Sequence, residues 1–234
     1  AIFAICAVRP MSICAADMAL PLVLTMGEPA GIGGEIALKA WLARDTDNVP
    51  PFFMIDDPAR LTALAQHLDW PVSVIPIDAP EDALDAFVHG TPVLARPLTA
   101  GYVPGSPNPA HADAVIASID DAVGFVTAGR AAALVTNPIH KLTLTEAGFR
   151  HNGHTDYLAE LAGGGAKAVM MLACAGLRVV PLSVHIALRD SIAAVSKAAI
   201  IAVTHTTIDA LRRDFGIAEP RIVVSGLNPH AGEG

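Results

Sequence analysis

From residue 22 onward, short apolar runs alternate with stretches of helical periodicity, and this alternation constrains the fold more than any other feature of the chain. Strands separated by helices of this length pair in parallel through crossover connections. The expected architecture is therefore α/β, with mostly parallel sheets flanked by helices. The expected strands are 22–26, 52–55, 72–75, 92–95, 131–135, 168–173, 179–184 and 222–225. The expected helices are 35–43, 58–68, 110–128, 142–147, 155–161 and 191–215, the second opened by Pro58, a residue suited to a first helical turn. Pro76, Pro80 and Pro97 punctuate the first half, and 101–109 reads as a loop from its Gly and Pro content. There is no internal repeat, and no linker announces a domain boundary.

Composition removes several function classes. Of the 234 residues, 53% are hydrophobic and 16% charged, which excludes a disordered chain. The mean hydropathy of +0.48 raises the question of a membrane span. Uncharged stretches such as 198–208 are shorter than the ~20 apolar residues a spanning helix needs, and 98–112 is interrupted by three prolines. No membrane partner is expected. A net charge of -8, with no basic run, argues against a nucleic-acid partner but leaves room for a small anionic ligand held by local cations. Cys6, Cys14 and Cys174 form no CxxC pair and fit no disulfide framework, so a reducing, cytoplasmic location is expected. In the opening run AIFAICAVRP the arginine follows the apolar stretch, unlike a secretory signal; residues 1–19 read as a leader or extension, with Met11 and Met18 as alternative starts.

The polar motifs cluster just past expected strands, at 27–34, 136–141, 185–190 and 228–234. In parallel α/β sheets that end of the strands forms the ligand crevice, so the four clusters are expected to converge there. The loop Gly27-Glu28-Pro29-Ala30-Gly31-Ile32-Gly33-Gly34-Glu35 carries neither a P-loop Lys-Ser/Thr nor the last glycine of the dinucleotide fingerprint. A tight structural turn and contact with a ligand or subunit edge both fit it, and Glu28 argues against a simple phosphate cradle. Of the nine histidines, His67, His89, His111 and His205 read as structural or surface residues, with His140 and His151 intermediate. His154 opens a helix, whereas His185 and His230 follow apolar runs directly, where an imidazole can be held in a direction that suits a divalent metal. Spacing alone leaves metal and structural roles open for that pair. Lys141 stands past a strand as a candidate partner for a phosphate or carboxylate. Asp190 reads as a helix cap, and Arg189 beside it as a possible ligand-orienting cation.

Taken together and in order, the blocks LTMGEPAGIGGEIALKAW, LVTNPIHKLTLTEAGF, NGHTDYLAEL, VMMLA, VVPLSVHIALRD and RIVVSGLNPHAGEG resemble the 4-hydroxythreonine-4-phosphate dehydrogenase family of pyridoxal phosphate biosynthesis. The resemblance covers nearly all of 20–234, and Gly34 stands where relatives frequently have proline. It implies a fold similar to isocitrate and isopropylmalate dehydrogenases, which bind NAD without the Rossmann fingerprint, here as two intertwined subdomains. It also implies a homodimer with the active site at the subunit interface. By motif, His154 and Thr155 match substrate-contacting positions, with Lys141 added to them on charge and position. His185 and His230 match two of three divalent-metal ligands, the metal being zinc, cobalt or magnesium. The third ligand belongs to a YHDQ-like block with no counterpart in this sequence, so the chain is expected to lack the C-terminal part of the family fold. The implied reaction is oxidation of 4-phosphooxy-L-threonine, a small phosphorylated hydroxy-amino acid, with NAD or NADP, followed by loss of CO2 to give 3-amino-2-oxopropyl phosphate. Two alternatives accompany it: a related dehydrogenase of threonate or erythronate 4-phosphate, and an inactive dimerising fragment.

Overall fold

A computed structural model describes residues 20–163, 165 and 168–233. The expected leader at 1–19 lies outside the described residues, as do Cys6 and Cys14. The described residues divide into two units, one within 20–168 and one within 169–233.

The first unit is built on a five-stranded sheet: β1 (Leu22–Leu24), β2 (Phe52–Asp56), β3 (Val74–Ile77), β4 (Thr91–Ala95) and β5 (Leu134–Val135). The strands lie in the order β3-β4-β2-β1-β5, and every pairing is parallel. Its helices are α1 (Gly33–Leu42), α2 (Pro58–His67), α3 (Ala83–His89), α4 (Ala112–Thr127), α5 (Lys141–Glu146) and α6 (His154–Leu161). The central strand shows why the sheet is covered on both sides. All five residues of β2 are buried, and successive side chains point to opposite faces. Phe53 and Ile55 enter a cluster with Ile119, Ala122 and Val126 of α4. Phe52 and Met54 enter another with Ala37 and Trp41 of α1, Leu61 of α2 and Phe87 of α3. A strand buried on both faces must read as a continuous apolar run, and FFMI does.

The helix starts follow local chemistry. Asp57 caps α2, its carboxylate accepting from the amides of Ala59 and Arg60, with Pro58 in the first turn. The short helix α3 is an element the sequence analysis did not expect. It is tied to α1 by the Trp41 indole N–H, which donates to the Phe87 carbonyl at 2.8 Å. After β4 the chain returns to the far side of β1, so the strand order reverses between β1 and β5. Such a reversal opens a crevice outside the carboxyl ends of the two strands.

The second unit is sparser. An antiparallel hairpin, β6 (Leu172–Cys174) with β7 (Leu177–Val179), turns through Ala175 and Gly176, the glycine at φ +80°. Two helices follow, α7 (Leu188–Ala194) and α8 (Lys197–Arg213), at 89° to each other. This corrects three expectations. Of the runs 168–173 and 179–184, only residues 172, 173 and 179 enter the strands of this short hairpin, and 222–225 forms no strand. The single helix expected at 191–215 is broken where Val195 and Ser196 are extended, and the Ser196 hydroxyl accepts from the Ala199 amide to start a new helix. No single helix among the described residues is long and apolar enough to cross a membrane.

Candidate active site

The crevice between β1 and β5 is lined by the first two motif clusters, which are fastened together. The Glu28 amide donates to the Pro138 carbonyl at 2.8 Å. Asn137 turns back onto β1, its amide donating to the Thr25 hydroxyl at 3.2 Å and its side-chain nitrogen to the Thr25 carbonyl at 2.9 Å. Gly27 is needed at this contact. Its φ is +69°, and a Cβ there would lie 2.7 Å from Asn137 Cβ and 2.8 Å from the Pro138 oxygen. The glycine-rich loop is thus in part the tight turn considered from sequence, with glycine admitting a neighbouring backbone. Glu28 is buried with its carboxylate folded inward onto the Ala30 amide at 3.0 Å.

The chain then enters α5. His140 caps the helix, its Nδ1 accepting from the Thr143 amide at 3.4 Å and bonded also to the Thr143 hydroxyl. Lys141 follows as the first helical residue and is exposed. Its side chain runs against Gly153: a Cβ on that glycine would lie 3.3 Å from Lys141 Cε and 3.6 Å from Nζ. Gly153 caps α6, whose first two residues are His154 and Thr155, both half-buried. The Nε2 of His154 is buried and makes no hydrogen bond within the protein. Burial, and secondarily the Lys141 ammonium, hold the His154 imidazole below the ordinary range. A neutral imidazole with a free nitrogen, a helix start and an ammonium are therefore collected within one turn of two helices. Buried polar atoms normally have partners, so an orphan of this kind asks for a ligand or an ordered water.

Supporting groups that sequence reasoning did not single out hold α6 in place. Phe149, His151 and Tyr157 form a ring triangle with centroid separations of 5.0, 5.0 and 4.8 Å. The Tyr157 phenol donates to Asp120 on α4, and burial together with that carboxylate pushes the phenol well above its usual range. His151 is accounted for here, a residue whose role the sequence left intermediate. Among those read as structural or surface residues, His111 is buried and His67, His89 and His205 are exposed.

The first unit therefore brings together Lys141, His154 and Thr155. The other two expected site residues, His185 and His230, belong to the second unit and are exposed there. His185 has φ +59° at the end of the run before α7. His230 lies in a turn: its amide donates to Asn228 Oδ1 at 2.9 Å, and its Nδ1 lies 3.0 Å from Glu233 Oε2. Neither follows a strand, which corrects the expectation that both sit at strand ends. Among the described residues, no group of three or more His, Cys, Asp or Glu side chains is arranged to hold a metal ion. Two imidazoles do not complete a catalytic centre, which ordinarily takes three protein ligands.

A family model described as pyridoxal phosphate biosynthetic protein PdxA matches residues 48–234. The chain belongs to that family. A relative from Bradyrhizobium diazoefficiens, named 4-hydroxythreonine-4-phosphate dehydrogenase, is 45% identical over 226 residues, which are 92% of this chain and 65% of the relative. One from Methylorubrum populi with the same name is 45% identical over 219 residues, 91% of this chain and 62% of its own length. The chain thus spans less than two thirds of these relatives. Among solved structures, a 4-hydroxythreonine-4-phosphate dehydrogenase from Burkholderia phymatum superposes with a TM-score of 0.81 at 28% identity, covering 93% of this chain and 65% of that one. The Klebsiella pneumoniae protein of the same name also gives 0.81, at 29% identity, over 92% and 66% of the two chains. The PdxA family fold accounts for the mostly parallel sheet flanked by helices.

Proposed function

We propose that the protein carrying this chain is a 4-hydroxythreonine-4-phosphate dehydrogenase in pyridoxal phosphate biosynthesis, and that the first unit supplies the pocket for the phosphate end of its substrate. The observation that carries this reading is the unpartnered, buried Nε2 of His154 beside the Lys141 side chain at the start of α6. Relatives named for this activity, aligned over most of the chain, support it.

On this reading the Lys141 ammonium neutralises a phosphate oxygen, and the first-turn amides of α6 and the Thr155 hydroxyl donate to others. His154 Nε2 completes the set as a hydrogen-bond partner. The imidazole enters neutral and takes up a proton more readily once a dianion lies beside it, because the bound charge offsets the effect of Lys141. These groups fix the substrate at its non-reacting end, which supplies binding energy for orienting the hydroxyl to be oxidised. NAD or NADP, when bound, would supply the hydride acceptor, and a divalent ion such as zinc, cobalt or magnesium would supply Lewis-acid chemistry. His185 and His230 are proposed as two of that ion's ligands on the strength of the family motif. The two exposed imidazoles have the donor chemistry of such ligands but are two where a catalytic centre takes three. A cytoplasmic homodimer with the active site at its interface completes the proposal.

The test is NADH formation by the full-length protein with 4-phosphooxy-L-threonine, and separately with the 4-phosphates of threonate and erythronate. Turnover of the amino acid alone is expected, with Lys141→Ala raising KM more than it lowers kcat. Turnover of the sugar acids alone would reassign the substrate. A folded protein that turns over none of them would leave a dimerising or binding role.

A further inference from the structure

We infer that Arg60 is a positioning residue whose buried guanidinium locks three strand-end loops into one shape and, through them, sets where Lys141 stands. The inference rests on the reading of the crevice as the substrate site. Arg60 lies in the first turn of α2, and its side chain is 2% exposed against 0% for its partner Asp56 at the end of β2. The pair is two-pronged, with Nε to Oδ1 at 3.1 Å and Nη2 to Oδ2 at 2.5 Å. The third prong leaves this pair: Nη1 donates to the Pro29 carbonyl, in the loop after β1, at 3.1 Å. The Tyr102 ring, from the loop after β4, lies over the guanidinium with 5.6 Å from its centroid to the guanidinium carbon.

The three loops are cross-tied around this point. The Gly105 amide donates to the Ala30 carbonyl at 2.8 Å, and the Arg96 amide to the Asp56 carbonyl at 2.8 Å. The Leu98 amide donates to Asp57 Oδ2 at 3.0 Å. From Pro29 the path to the proposed phosphate pocket is short. The next residue back, Glu28, donates its amide to Pro138, three residues before Lys141. Gly34 keeps the approach open, since a Cβ there would lie 2.8 Å from Leu64 Cδ2 and 3.2 Å from Arg60 Nη1.

A buried ion pair is a poor source of stability, because desolvating both charges offsets most of their attraction, and apolar residues of similar volume often do as well. A planar fork offers direction instead. It satisfies Asp56 with two donors and still aims a third at a fixed carbonyl, while presenting a flat face to an aromatic ring. A lysine could keep the charge pair with Asp56, but its single ammonium nitrogen does not span the separate positions that Nε, Nη1 and Nη2 occupy or present a flat face to Tyr102. Arg60→Lys therefore separates holding the loops from holding the core.

The experiment is Arg60→Lys in the full-length protein, read by amide hydrogen exchange and by steady-state kinetics. Exchange at Glu28, Ala30, Gly31 and Gly105 is expected to accelerate by about tenfold or more while the amides of β2 and β4 keep their protection. KM for 4-phosphooxy-L-threonine is expected to rise at least about fivefold with kcat within about twofold. Tyr102→Ala, which leaves the ion pair intact, is expected to shift both readouts in the same direction by less, and it decides the matter if Arg60→Lys fails to fold. Unchanged exchange at those four amides, or acceleration spread evenly over the sheet with kcat and KM altered together, would overturn the inference. A wild-type protein without turnover would refute the dehydrogenase reading, and the exchange pattern alone would then judge Arg60.

Discussion

The two units differ in how far each is determined by its own residues. In the first, β2 is buried along its whole length, four apolar clusters form, and the loops at the strand ends are fastened by hydrogen bonds between side chains and backbone. In the second, every residue of β6 and β7 is exposed, and among the described residues only Thr207 and Leu211 are buried. Val223 is 90% exposed and Leu188 84%. The contrast teaches that a parallel sheet closed by its own helices can preorganise a pocket, whereas a two-stranded hairpin with two helices cannot. Lys141 and His154 owe their geometry to the first kind of region; His185 and His230 sit in the second.

The contrast can be broken most forcefully at its most buried charge. Asp56→Ala, which leaves the Arg60 guanidinium buried without its partner, is expected to cost about 3–5 kcal/mol in chemical denaturation. Gly27→Ala should follow at about 1–3 kcal/mol, from the left-handed backbone and the crowding against Asn137. Val223→Ser, in the second unit, should stay within about 0.5 kcal/mol by the same measurement. A loss there approaching that of Gly27→Ala would erase the distinction between the units. Hydrogen exchange sharpens it further: amides of β2 should exchange only by global unfolding, those of β6 and β7 by local opening.

The smallest effect concerns pH. His154 is held below the ordinary imidazole value of 6.5. Below that pH the unfolded chain takes up a proton that the folded chain resists, so stability should fall as pH drops from about 6.5 and be independent of this group above it. His154→Gln should flatten that part of the stability profile, measured by denaturation between pH 5 and 8.

How much was legible in the sequence follows the same division. FFMI and its neighbours announced buried strands, and Pro58 announced a helix start, because the causes are local: apolar runs and a fixed φ. The start of α6 at His154 was also legible, since it follows the Asn152-Gly153 turn, whereas Lys141, read from sequence as the end of a loop, is the first residue of α5. α3 was missed because its seven residues, between Pro80 and Gly90, are too few to show a period. The apolar runs at 179–184 and 222–225 failed as strands because a strand needs a neighbour to pair with, and sequence pattern alone does not supply one. The Asp56–Arg60 fork was invisible for a related reason. Its i,i+4 spacing is ordinary, and what distinguishes it, burial together with a third bond to Pro29, depends on which loop the sheet order brings alongside.

In the proposed function, Lys141 and His154 form the receptor for a phosphorylated substrate. Its most direct test is an NMR titration of the His154 imidazole in the full-length protein, with and without 4-phosphooxy-L-threonine. A midpoint below 6.5 is expected in the free protein, with a clear upward shift when the ligand is bound that Lys141→Ala abolishes through loss of binding. A midpoint that does not move while the protein is saturated with ligand would contradict it.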